Sequence, residues 1–398
     1  MRKGWKETTL GEVAGLSIGR TPTRATAKYW TGDLRFPFCT IADMDGKRIS
    51  PSREGVTQAA IDDGKARLVG AGSLLMSFKL TIGRVGFAEV DLFPNEAIVA
   101  ITPEASHSTR EFLYLWLGSH DLTEGSGRAV KGATLNSVSL AAIPILLPPL
   151  AEQKRIVDVI ESVDAYVAGL ESYATAARTS RAALLHELLT TNTKGWKQTT
   201  LGEVAEVVGG GTPSTSRADF WDGEIVWLTP TEVVALDGRR VSDSARKITK
   251  QGLANSGARL LPEGTVILTS RASVGFVAIS DCELCTNQGF QSLVPRPQII
   301  AEFLLPWVQT NRSEFMARSA GSTFKEISKK NVGTIPILLP PLAEQRRIVD
   351  VIESVDSAIT AADVAVADAR NLRAGLLSDL LSGDHEIPQS YDRIMESA

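Results

Sequence analysis

The feature that most constrains this chain is a pair of near-verbatim repeats, met twice in the same order. KGWKETTLGEV (Lys3 to Val13) returns as KGWKQTTLGEV (Lys194 to Val204), with one change. IPILLPPLAEQKRIVDVIESVD (Ile143 to Asp164) returns from Ile335 to Asp356 with only Lys154 replaced, by Arg346. A repeat spaced at about half of 398 residues makes the protein a tandem duplication, so its fold has to accommodate two copies of one unit. Between the anchors the halves have drifted far apart. That contrast points to two copies of one docking surface carrying two globular parts that do different versions of one task.

After each PPLAEQ the composition shifts to Ala, Leu, Glu and Arg, all good helix formers. Ile156, Ile160, Val163, Val167, Leu170, Ala174, Ala177, Leu184 and Leu188 step by three and four residues, with Arg181 in the one polar gap. The second copy gives Ile348, Ile352, Val355, Ile359, Ala362, Val366, Ala369, Leu376 and Leu380, with Arg373 in the same gap. A sustained 3.5-residue period is the signature of a coiled coil. Helices of this length would be rods of ~60 Å, longer than a small domain can cover, so they are expected to pair with each other. Pro148, Pro149, Pro340 and Pro341 set their starts. Glu152, Asp158, Glu161 and Asp164 recur as Glu344, Asp350, Glu353 and Asp356, and are expected to point outward to one shared partner. A charge at Ile156 or Ile348 is expected to break the seam and leave the globular parts folded.

The globular parts read as strand-rich α+β domains. Strand-like runs occur at Gly72 to Phe78, Val85 to Val90, Thr265 to Ser270 and Val274 to Ile279. Short helices are expected at Glu111 to Ser119 and Glu302 to Thr310. Both halves retain Thr21-Pro22 as Thr212-Pro213, Tyr29-Trp30 as Phe220-Trp221, Lys79 as Arg271, Gly83 as Gly275 and Asn95 as Asn287.

Composition excludes several classes. The start MRKGWKETTL has no apolar core of a secretory signal, and the longest apolar stretch, near Ala141 to Ala151, is too short for the ~20 residues of a membrane span. A cytoplasmic protein is expected. Cys39, Cys282 and Cys285 have no disulfide spacing, and the single C-x-x-C lacks a second ligand pair, so these are expected to be strand and turn positions with no metal. The net charge of −4 hides an uneven distribution. Residues 1–150 hold 17 Lys and Arg against 15 Asp and Glu, and residues 194–342 hold 16 against 14. Residues 151–193 hold 4 against 6, and 343–398 hold 5 against 11. The acid lies in the connecting segments and the basic excess in the globular parts, which permits nucleic-acid binding there.

No catalytic constellation emerges. GRTP (Gly19 to Pro22) and GGGTP (Gly209 to Pro213) lack the G-x-x-x-x-G-K-[ST] arrangement of a phosphate loop. His107, His120, His186 and His385 are scattered, and read as surface residues. What remains is polar and basic loop residues: Thr21, Arg24, Lys47, Arg48, Lys79, Arg84 and Lys131 in the first half. In the second these are Thr212, Ser214, Thr215, Arg239, Arg240, Arg271, Lys325, Lys329 and Lys330. Arg and Lys can reach guanine edges or phosphates, and hydroxyls can serve either.

The GWKxTTLGEV openings, the G-x-T-P loops, the YW/FW pair and the two PPLAEQ(K/R)RI helix starts together resemble the specificity subunit of a Type I restriction-modification system, over nearly the whole length. GSTFKEIS (Gly321 to Ser328) also fits the family's loop before the final strand, whereas GATLNSVS (Gly132 to Ser139) lacks the lysine found at Lys325. The resemblance implies an α+β fold of two similar α/β target-recognition domains joined by two long antiparallel coiled-coil helices in a pseudo-two-fold repeat. The expected division is 1–149 and 194–341 for the recognition domains, 150–193 and 342–382 for the spacer helices, and 383–398 for an acidic tail. It further implies a non-catalytic subunit without a cofactor of its own. Each domain would read one half of a bipartite double-stranded DNA target. The helices would set the spacer and dock two methyltransferase subunits, which carry the S-adenosylmethionine chemistry, and through them motor-nuclease subunits. The competing expectation is a two-domain interaction scaffold that binds no DNA.

Overall fold

The computed structural model describes residues 4–51, 53–122, 135–191, 193–321, 325–388 and 390–395. It forms two compact units, one of residues 1–170 with 364–398 and one of residues 171–363.

Within each unit the two repeated segments meet. Lys6–Thr9 pairs antiparallel with Pro144–Leu147, and Lys197–Thr200 pairs with Pro336–Leu339 in the same register. Thr9 then starts a one-turn helix, Leu10–Val13, and its N–H donates to the Glu12 carboxylate at 3.2 Å. The counterpart Leu201–Val204 follows Thr200. The closing strand leads through the prolines into the long helix, where the Pro149 carbonyl accepts from the N–H groups of Glu152 (2.8 Å) and Gln153 (3.0 Å). Gln153 is fully buried; its amide donates to the carbonyls of His107 (2.8 Å) and Pro148 (2.9 Å) and accepts from Thr109 N–H at 3.0 Å. Gln345 repeats this with Gln298, Pro340 and Ile300 at 2.9, 2.9 and 3.0 Å. A buried amide is costly unless all its groups are bonded, so this glutamine fixes where each helix leaves its domain.

The long helices run Leu150–Thr190 and Leu342–Ser382, 41 residues each. In each unit the start of one lies with the end of the other. Ile156, Val157 and Ile160 share a core with Leu377, Leu380 and Leu381, and Ile348, Val349 and Ile352 share one with Leu185 and Leu189. Arg181 bonds Asp356, and Arg178 bonds Asp363, so residue numbers fall along one helix as they rise along the other: the pair is antiparallel. Arg373 forms the equivalent pair with Asp164 in the other unit. The two polar gaps in the heptads are thus occupied by interhelical ion pairs.

Two expectations need correcting. The seam is not separate from the globular parts: Ile156 and Ile160 sit in one core with Trp5, Leu10, Phe112 and Ile145, and Ile348 and Ile352 with Leu201, Phe303 and Ile337. A charge there is expected to disrupt the domain as well as the helix pair. Farther along, Val167 is buried, whereas Val163, Leu170, Val355 and Ile359 are half-buried. Nor do all the repeated acids point outward. Glu152 is buried and accepts from the Trp5 indole at 3.1 Å. Asp164 and Asp356 are spent on the arginines, and Glu161 takes Lys47 at 3.2 Å.

Each unit carries the same five-stranded sheet. Its order is Ala14–Ile18, Ile98–Pro103, Leu74–Ser77, Val85–Ala88, Arg48–Ile49 in the first unit. In the second it is Ala205–Gly209, Gln291–Pro295, Val266–Leu268, Val277–Ser280, Arg240–Val241. All neighbours are antiparallel except the last, parallel pair. Helices Arg110–Ser119 and Ala301–Thr310 cover the sheets where the sequence places them. The units diverge beyond this sheet. Trp221–Leu228 forms a three-stranded sheet with Lys247–Ile248 and Leu284–Thr286, where the first unit has two separate strand pairs. The acidic segment after Ser382 packs back on the first unit: Ile387 is buried, and Asp392 pairs with Arg155 at 3.0 Å. Among the described residues no helix is long and apolar enough to cross a membrane.

Candidate nucleic-acid interface

Three loops meet at one end of each five-stranded sheet. The G-x-T-P loop follows the first strand, a tight turn follows Ser77 or Leu268, and an Asn-containing turn precedes Ile98 or Gln291. In the first unit Gly19 N–H donates to Ile98 O and Arg20 N–H to Pro94 O, both at 2.9 Å. A Cβ on Gly19 would lie 2.2 Å from the Asn95 carbonyl oxygen, and one on Gly210 would lie 2.0 Å from that of Asn287. These glycines therefore allow two backbones to touch; they do not cradle a phosphate. The retained tryptophan holds the same loop, Trp30 donating to Thr23 O at 3.3 Å and Trp221 to Ser214 O at 3.1 Å.

On this frame the retained threonines reach across to the Asn turn. Thr21 donates to Glu96, and Thr212 donates to the side-chain oxygen of Gln288. The tight turn beside them is strained in both units. Leu80 has φ +64° and Ala272 φ +60°, each spanned by an N–H···O bond of 2.8 Å, from Thr81 to Lys79 and from Ser273 to Arg271. This is a γ-turn with a positive φ at a residue other than glycine, a rare conformation that persists only where its surroundings hold it. Ser77 and Thr269 supply that hold by donating their hydroxyls to the Thr81 and Ser273 carbonyls. Lys325 joins the group in the second unit, since its carbonyl accepts from Ala272 N–H at 2.9 Å. The adjoining Glu326 pairs with Arg271 at 3.0 Å. Arg271, Ala272, Asn287 and Gln288 line a cleft of about 350 Å³ with Pro230 and Thr231.

The structure thus gathers Thr21 and Lys79 in one unit, and Thr212, Ser214, Thr215, Arg271 and Lys325 in the other, around these loops. Ser214 shares a hydrogen bond with Ser216 at 2.9 Å, and Thr215 is exposed. Arg24 lies on the same loop as Thr21, with both arms on Glu54 (2.6 and 2.8 Å) and its guanidinium 3.8 Å over Trp30. The remaining described candidates have their side chains on other partners. Lys47 pairs with Glu161 on the long helix and Arg48 with Glu89 at 3.3 Å. Arg240 spans Asp281 and Glu302 at 2.7 Å each. Arg239 donates to the Ala235 carbonyl at 2.8 Å, capping a helix end, and Arg84 donates to Ile41 O at 3.3 Å. Lys131 lies outside the described residues. Glu96 and Gln288 escaped the sequence reading, although each directly follows an asparagine kept in both halves.

No metal-holding cluster of His, Cys, Asp and Glu exists among the described residues. Burial pushes the Cys39 and Cys285 thiols up to about 12, and Cys285 sits in a strand.

Two like five-stranded sheets under divergent loops make this a protein of paired, duplicated α+β domains. The chain belongs to the Type I restriction modification DNA specificity domain family, whose profile matches residues 2–174 and 193–364. It is 35% identical over 168 residues to the Type I restriction enzyme MjaIX specificity subunit of Methanocaldococcus jannaschii, an alignment covering 42% of this chain and 39% of that one. It is 25% identical over 262 residues to the EcoR124I/EcoR124II specificity subunit of Escherichia coli, covering 62% of this chain and 63% of the relative. Its fold resembles the HsdS subunit of Thermoanaerobacter tengcongensis, with a TM-score of 0.57, 21% identity and coverage of 97% and 98% of the two chains. A chain from a study of complex assembly and conformational transition in the type I R-M system gives a TM-score of 0.70 at 22% identity, covering 97% and 99%.

Proposed function

We propose that this protein is the non-catalytic specificity subunit of a Type I restriction-modification complex. Residues 1–149 and 194–341 each read one half of a bipartite double-stranded DNA target. The helices within 150–193 and 342–382 set the spacer and dock two methyltransferase subunits, through which motor-nuclease subunits join. Methylation and cleavage belong to those partners, and the complex works in the cytoplasm.

The observation that carries this reading is one frame built twice under two different sets of loops. Each set brings hydroxyl, amide or carboxylate, and basic side chains to the same end of the same sheet. Such groups suit base edges and phosphates. Thr21, Arg24, Lys79, Thr212, Ser214, Thr215, Arg271 and Lys325 form the contact set on this reading. Lys47, Arg48, Arg84, Arg239 and Arg240 are left to flanking phosphates.

Replacing residues 1–149 by the corresponding domain of a relative tests it. One half of the methylated sequence should change and the other stay. A joint change of both halves would overturn the two-reader arrangement. Absence of salt-sensitive DNA binding in a gel shift would leave the scaffold reading instead.

A further inference from the structure

The loop ends of the two units superimpose in kind but differ at one pair of side chains. Phe78 N–H bonds Ala97 O at 3.0 Å, and Ser270 N–H bonds Gly289 O at 2.7 Å. Glu96 and Lys79 flank the first of these bonds and Gln288 and Arg271 the second, and Gln288 and Arg271 line one cleft. Both Glu96 and Gln288 are exposed, both follow a half-buried asparagine, and both take the hydroxyl of the G-x-T-P threonine. Position, partner and neighbour are alike; the terminal chemistry is not.

We propose that Glu96 and Gln288 are base-reading residues that make the two half-sites different. The assignment rests on the DNA-reading function and adds to it the residues and the bases. A carboxylate only accepts hydrogen bonds, and among the base edges in the major groove it suits the N4 amino group of cytosine. A glutamine both accepts and donates, and suits the N6/N7 edge of adenine. The threonine occupies one oxygen of Glu96, which leaves the other for the base. Gln288 accepts from Thr212 on an oxygen with a second lone pair, which leaves that lone pair and the amide N–H groups. Three features support direct contact. Thr21 and Thr212 restrict long side chains that would otherwise lose rotamer entropy on binding. Arg24, whose charge interacts with Glu96, offsets the repulsion between that carboxylate and phosphates. The strained turn carries Leu80 and Ala272 beside them, and Leu80 is 77% exposed on a backbone that glycine would adopt without strain. An apolar group held there fits a thymine methyl or a base step.

Glu96→Gln and Gln288→Glu, made in the full chain, decide the matter. Each is nearly isosteric at an exposed position, so folding is retained. The wild type and both variants, assembled with methyltransferase subunits, select bound duplexes from a library randomised at both half-sites. Glu96→Gln should change the preferred base at one position of the half-site read by residues 1–149, by about tenfold or more, and leave the other half-site unaltered. Gln288→Glu should do the reciprocal. Unchanged base preferences in both variants overturn the assignment, whether or not affinity falls, because a supporting residue alters affinity without altering sequence. If the wild type itself selects no sequence, the DNA-reading function falls instead.

Discussion

The repeated frame and the divergent loops of this chain use the same kinds of polar side chain in opposite ways. In the frame, Gln153 and Gln345 are fully buried, and each amide is bonded on its donor and acceptor sides to main-chain groups. At the loop ends, Thr21 with Glu96 and Thr212 with Gln288 form hydrogen bonds open to solvent. A buried group with fixed partners tolerates no substitute, because each orphaned donor or acceptor costs about 1–3 kcal/mol. An exposed pair can change from glutamate to glutamine at little cost to folding. The difference teaches why one part of the duplication stayed nearly verbatim while the other drifted. Part of the repetition that suggests a shared partner surface is demanded by folding alone.

The largest expected effect breaks the frame at its core. Ile348→Asp puts an unpaired charge among Leu201, Phe303 and Ile337, and should cost on the order of 4 kcal/mol. Urea denaturation should show the whole second unit destabilised. The same charge at Val167, which is buried but belongs to neither domain core, should cost less. Equal losses would show that the helix pair is packed as tightly at Val167 as in the domain core.

Gln153→Ala and Gln345→Ala sharpen the equivalence of the two frames. Each should lower stability by about 2–3 kcal/mol, and by similar amounts, because their partner sets match. A loss below about 0.5 kcal/mol in either, the level of an ordinary surface change, would show that the PPLAEQ glutamines do not anchor the helices. Arg181→Ala and Arg373→Ala should each cost less, about 1 kcal/mol, since these interhelical pairs are partly solvated. Their effect should shrink as salt rises; salt-independent losses would mean the arginines act by packing.

The smallest effect contrasts the two units again. Trp5→Phe removes one donor to the buried Glu152 and should cost about 1 kcal/mol. Trp196→Phe should cost less, because Glu344 is bonded bidentately to Arg347, at 2.7 and 2.9 Å. Thermal melts that respond equally to both would remove this asymmetry between the frames.

Local pattern made much of the architecture legible. The apolar runs at Leu74–Ser77 and Val266–Leu268 became the central strands, and the glycine- and proline-poor stretches became helices. Arg181 and Arg373 stood out as polar gaps in an apolar period, but their acceptors, Asp356 and Asp164, could not be named. Those carboxylates lie 175 and 209 residues away and read locally as outward charges. The loop ends were half legible: Thr21, Thr212, Lys79 and Arg271 recur, whereas Glu96 and Gln288 attract notice only once their threonine partners are seen.

By itself, then, the amino-acid order determined the duplication, the helices and the strand-rich domains, since all three follow from spacing along the chain: repeats at offsets of 191 and 192 residues, and apolar side chains at periods near 3.5 and 2. Tertiary structure alone decided which repeated segments touch, which charges are spent inside the protein, and which loop residues gather at one end of each sheet. The physical reason is that a hydrogen bond or ion pair depends on distance in space, and only closure of the antiparallel sheets and helix pair brings residues so far apart in the chain within reach.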